Sequence, residues 1–147
     1  LCFIFFFFKI LFSFTIYAMF YVVVSALLGF TSVLVGAFGA HMAAQMLTES
    51  LYKTLQVAID YHQFYSLFLL VLSLFNSQSK AGFVIANYVF KSAIVGVLLF
   101  SGSLYAYVLT GVKVLTFVTP VGGMILMIMW GLLGVAAFRY YQHISSS

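Results

Sequence analysis

The side chains of this sequence with the chemistry to do work are His41, Asp60, His62, Tyr65, Ser101, Ser103, Tyr105 and Thr119. Histidine and aspartate are metal-binding types. Residues 60 and 62, however, stand about 200° apart on a helix that turns about 100° per residue, so with His41 they do not converge on one ion. Ser101 or Ser103 beside a histidine would pair a nucleophile with a base. Such a pair also needs an acid to orient the base and an oxyanion hole, and the sequence shows neither. No catalytic residue, metal ligand or cofactor is therefore assigned. The reading that remains is a network of hydrogen bonds holding helix ends together.

These residues occupy polar and glycine-rich knots at the ends of apolar runs: Gly36-Ala37-Phe38-Gly39-Ala40-His41, Asp60-Tyr61-His62, Phe100-Ser101-Gly102-Ser103-Leu104-Tyr105, and Thr119-Pro120-Val121-Gly122-Gly123. The runs themselves dictate the class. Of 147 residues, 65% are hydrophobic and 5% charged, against about 25% charged in soluble domains. The mean hydropathy is +1.21. A hydrocarbon core about 30 Å thick takes about 20 apolar residues per helix, so the expected fold is all-α, an integral membrane bundle of four transmembrane helices. The bilayer is the first expected partner. Lys9, Lys53, Lys80, Lys91, Lys113 and Arg139 are scattered singly, which excludes a nucleic-acid-binding face. Cys2 is the sole cysteine, so no intrachain disulfide can form.

Spans are expected at about 20–40, 57–75, 83–109 and 119–138, within a membrane domain of 19–142 followed by a polar tail, 143–147. Residues 1–18 open with Leu and are Phe-rich; they are read as an upstream extension with initiation at Met19, or else as an extra hydrophobic segment that would have to break near Tyr17 to Tyr21. On the first span Ser25, Gly29, Ser32, Gly36 and Ala40 recur at steps of three and four and so form one stripe. Small residues let helix backbones approach in lipid, and Gly96, Gly102, Gly122 and Gly123 are assigned the same packing role. Residues 41–56 read as a polar connection, placing Asp60 about one turn into the second span, where the helix dipole favours an acid. Lys91 is expected to snorkel to the interface. Thr119 and Pro120 read as the N-cap and first position of the fourth helix.

Threading four antiparallel spans brings all the knots to one membrane face, so the eight polar residues are expected to meet in a shallow cluster there. Lys80 and Arg139 lie on the opposite face, and Lys53 and Lys113 on the cluster's face. The positive-inside rule then puts both termini in the cytoplasm.

The motifs GAFGAH at Gly36 to His41, DYH at Asp60 to His62, LFSGSLY at Leu99 to Tyr105 and FVTPVGG at Phe117 to Gly123 resemble those of the YgdD-like small inner-membrane proteins, a domain-of-unknown-function family. The likeness runs from about Met19 to Tyr140. It implies a four-helix bacterial plasma-membrane protein without an established biochemical activity. Where that family reads Tyr-Gln-x-x-His, this chain has Tyr61, His62 and Tyr65, so the family histidine is absent. The expected role is structural or interactive within the membrane, with room for a homo-oligomer or a membrane-protein partner. The alternative is a subunit of a small-molecule or ion transporter using the polar cluster. The expected lack of an acid at mid-span and of discontinuous helices argues against a complete transporter.

Overall fold

The computed structural model describes residues 2–78 and 83–145, with side chains described from Met19 onward apart from a few positions. The described residues are helical almost throughout. Helix α1 covers Cys2–Phe38, α2 Ala44–Met46, α3 Glu49–Gln78, α4 Phe83–Thr110 and α5 Val118–Ser145. Among the described residues, four helices are long and apolar enough to cross a membrane, through Met19–His41, Glu49–Phe75, Asn87–Thr110 and Lys113–Arg139. The 37-residue α1 passes through Tyr17 to Tyr21 without interruption, as the absence of Pro and Gly there allows.

The second long helix starts at Glu49 rather than near Val57. Thr48 supplies the reason: its Oγ1 accepts a hydrogen bond from the amide of Leu51 at 3.4 Å, and Glu49 follows in the first turn, where an acid suits the helix dipole. Lys53 then pairs with Glu49 one turn later at 2.6 Å. Residues read as a connection are thus the first two turns of α3. Its far end runs through Asn76 to Gln78, past the expected limit of the span at 75, and residues 79–82 lie outside the described residues.

Helix α4 ends at Thr110 with Gly111 in the left-handed region, φ +71°, where glycine carries no steric penalty. The Gly111 amide donates to the Tyr107 carbonyl at 2.8 Å. A 3-10 turn, Lys113–Phe117, leads into α5. Thr119 therefore lies inside the first turn of α5 and is not its cap, while Pro120 keeps a first-turn position where its missing N–H is harmless.

Packing follows the order of the chain: α1 lies along α3, α3 against α4, and α4 against α5. The stripe on α1 faces α3. Ser25 and Ser32 are buried, and a Cβ on Gly29 would lie 3.9 Å from Ser66, one on Gly36 3.6 Å from Ile59. Beyond Gly36 the stripe departs from expectation. Ala40 is exposed, while Gly39 and Ala43 are buried. The backbone widens into a π-helical turn over Gly39–Ala43, and a Cβ on Gly39 would come within 3.1 Å of Ile59. The seam therefore continues through Gly39 to Ala43.

Helices α4 and α5 approach more closely still. At Gly122 an added Cβ would lie 2.5 Å from the Phe100 amide nitrogen and 2.9 Å from the Gly96 carbonyl oxygen, and at Gly96 it would meet Leu126 at 2.5 Å. Gly123 lies over the Phe100 ring, whereas Gly102 faces open space and is no packing residue. Near the other end of the bundle Tyr21 of α1 stacks on Phe90 of α4 with ring centroids 4.1 Å apart, and its hydroxyl donates to Asn87 Oδ1. Leu69, Val89, Ala93, Val97 and Met129 complete this core. Outward faces carry large apolar side chains such as Phe20, Leu27 and Phe30 on α1 and Met127 and Ile128 on α5, as a surface solvated by lipid requires.

Candidate functional site: a groove between the third and fifth helices

The expected cluster separates into distinct contacts at different depths. Ser103 on α4 and Thr119 on α5 meet at 2.7 Å. The Ser103 hydroxyl donates to the Phe100 carbonyl at 2.9 Å, so the proton between the two hydroxyls comes from Thr119, a hydroxyl having a single proton to give. His62 Nδ1 lies 3.3 Å from the Tyr105 hydroxyl, joining α3 to α4. Tyr65 accepts a hydrogen bond from Trp130 Nε1 at 3.0 Å, joining α3 to α5. Ser101 is buried, and neither its hydroxyl nor His62 Nε2 has a hydrogen-bond partner among the described residues. His41 is exposed on the π-helical turn, apart from these pairs.

Asp60 belongs to none of these pairs. With α3 starting at Glu49, it lies about 16 Å along the helix at 1.5 Å per residue, but Glu49, Ser50, Lys53, Thr54 and Gln56 precede it. Its neighbour Ile59 packs against Gly36 and Gly39, close to the end of the α1 span Met19–His41, so Asp60 lies near that end of the bundle. His62 turns to Tyr105, and Asp60, which is exposed, lines a groove with Tyr61, Phe64, Tyr65 and Trp130. The groove has a volume of about 400 Å³ and is open, since Tyr61, Phe64 and Trp130 are 42%, 52% and 43% exposed.

The packing order explains why a groove forms here. Helices α3 and α5 both lie against α4, and they meet each other through side chains. The Tyr65 to Trp130 hydrogen bond closes the deep side, and Trp130 packs against Phe68 with ring centroids 5.1 Å apart. Tyr61 lies on Phe100 of α4 at 4.4 Å, which fixes the other wall. Tyr61 entered the sequence reading only as the middle of the Asp60-Tyr61-His62 knot, and Phe64 and Trp130 were not named as site residues. The usable signal was Trp130, the only tryptophan, because an indole N–H at mid-span needs an acceptor.

A family model described as "Protein of unknown function (DUF423)" matches residues 35–123, a stretch that includes the Gly39 seam, Asp60, and the Gly96 to Gly122 crossing. The chain belongs to the DUF423 family. It is a multi-pass membrane protein. The UPF0382 inner membrane protein YgdD of Escherichia coli (strain K12) is 33% identical over 120 residues, covering 82% of this chain and 90% of the relative. A UPF0382 membrane protein of Staphylococcus aureus (strain bovine RF122 / ET3-1) is 31% identical over 120 residues, covering 82% of this chain and 96% of the relative. One from Haemophilus influenzae is 31% identical over 119 residues, 81% and 94% of the two chains. No solved structure matches the chain. These UPF0382 relatives agree with the resemblance drawn from the four motifs, and they lend no support to the transporter alternative.

Proposed function

We propose that this DUF423 protein is a non-catalytic protein of the bacterial inner membrane, with both termini in the cytoplasm, that acts through contacts in the plane of the bilayer and associates with a second copy of itself. The observation that carries the reading is how its polar side chains are used. Ser103 with Thr119, His62 with Tyr105, and Tyr65 with Trp130 each join two helices, so they fix the bundle's shape and do not converge on a reacting atom. A rigid bundle with apolar outer faces on α1 and α5 suits packing against another membrane surface, which in lipid rests on close fit. The inner-membrane name of the Escherichia coli relative supports the location, and the charges of Arg139 and Lys80 against Lys53 and Lys113 support the orientation.

Native mass spectrometry from a mild detergent tests the reading. A dimer or higher oligomer of fixed stoichiometry, retained on dilution, is expected. A monomer at every concentration, in detergent and in lipid nanodiscs alike, would overturn it.

A further inference from the structure

We propose that the groove between α3 and α5 binds the ammonium group of a membrane-dissolved amphiphile, which enters sideways from the bilayer. This goes beyond the reading above and does not depend on it. The groove's about 400 Å³ falls within the range of small-molecule sites, about 300–1,000 Å³. Its walls are the rings of Tyr61, Phe64, Tyr65 and Trp130, with the Asp60 carboxylate among them. Aromatic faces attract ammonium ions through their quadrupoles, and a carboxylate adds the full opposite charge.

Charge complementarity makes the occupant a cation. Asp60 forms no hydrogen bond or salt bridge among the described residues, where the one salt bridge joins Lys53 to Glu49. Asp60 is exposed and lies near the end of the bundle where its neighbour Ile59 meets Gly39, a depth that suits a cationic headgroup whose tail runs on into the bilayer. Location makes the occupant an amphiphile. The exposed edges of Tyr61, Phe64 and Trp130 present the groove on the apolar flank of the bundle, so a tail can lie along the rings while the head reaches Asp60. The site is also held in shape before binding, by Tyr65 with Trp130 and by Tyr61 on Phe100, which lowers the ordering cost of binding.

Because Trp130 is the sole tryptophan, its fluorescence reports from inside the groove. The full chain in dodecyl maltoside micelles is titrated with dodecyltrimethylammonium, and separately with dodecyl sulfate at the same low mole fractions. A saturable change in emission with the cation and none with the anion is expected. Asp60→Asn should weaken the cation's binding at least about tenfold, about 1.4 kcal/mol, with Asp60→Glu restoring most of it. Tyr61→Leu, which removes one wall at an exposed position, should weaken binding as well and serves if Asp60→Asn does not fold. Equal responses to the two amphiphiles, or Asp60→Asn and Tyr61→Leu both binding within about twofold of the parent, would overturn the proposal. So would a Trp130 change that follows protein concentration and not the cation, which would assign the groove to a second copy.

Discussion

The backbone of Gly122 lies so close to that of Phe100 that a single Cβ on the glycine would stand 2.5 Å from the phenylalanine amide nitrogen. Backbone cannot swing aside as a side-chain tip can, so Gly122→Ala must separate α4 from α5. The expected loss is about 1–3 kcal/mol, the usual range for overpacking. Gly102→Ala, with open space around it, should lose nothing, and thermal unfolding in detergent compares the two variants directly. Equal melting temperatures for the two variants would refute the close crossing.

Gly36→Leu should also lower the melting temperature, because the added branch must pass Ile59, only 3.6 Å from a Cβ at that position. Leu34→Phe should not, since Leu34 is exposed and the larger ring meets lipid. A melt in which Leu34→Phe is the more damaging would place the α1 seam on the wrong face.

The hydroxyl pair predicts a coupling energy. Thr119→Val removes the donor to Ser103, while Ser103→Ala removes the acceptor and the bond to the Phe100 carbonyl. A double-mutant cycle is expected to give about 0.6 kcal/mol, the average for such bonds in a membrane bundle. Strict additivity would mean the two hydroxyls do not bond.

How far the sequence could be read is clearest on α1 and α3. The apolar runs and the stripe through Ser25, Gly29, Ser32 and Gly36 were legible because lipid enforces hydrophobicity on every span and close helix packing enforces small residues on one face. The site was not. Its walls depend on which side chains of α3 and α5 face each other, as Tyr65 and Trp130 do from distant parts of the sequence. The start of α3 was hidden too, being set by one Thr48 hydroxyl and the Glu49 to Lys53 pair inside a stretch that reads as polar connection. The switch from Ala40 to Gly39 was hidden for a related reason: a π-helical turn shifts the facing residue, and no composition rule announces it.

Removing the Tyr65 hydroxyl tests the deep wall of the groove. Tyr65→Phe leaves the ring packing in place but takes the acceptor from Trp130 Nε1. A changed Trp130 emission maximum is expected, with a stability loss of about 0.6 kcal/mol and at most about 1.7. An unaltered spectrum would show that the indole N–H has another partner.

Orientation is open to thiol labelling in a Cys2→Ser background. Glu49→Cys and Lys113→Cys, both exposed and at helix starts on one face of the bundle, should react with an impermeant reagent in intact spheroplasts. Gln142→Cys, near the end of α5, should react only after the membrane is opened. The reverse pattern would invert the orientation, and opposite behaviour of Glu49 and Lys113 would contradict four crossings.

Because α1 lies along α3, α3 against α4 and α4 against α5, each long helix finds a partner made just before it by the ribosome. Contacts between chain neighbours keep loop-closure entropy small and assembly fast. A nascent chain halted after α4 already holds the α1 to α3 and α3 to α4 interfaces, and the arrival of α5 brings Gly122 to Gly96 and Trp130 to Tyr65 together. The groove is thus the last part of the molecule to be born.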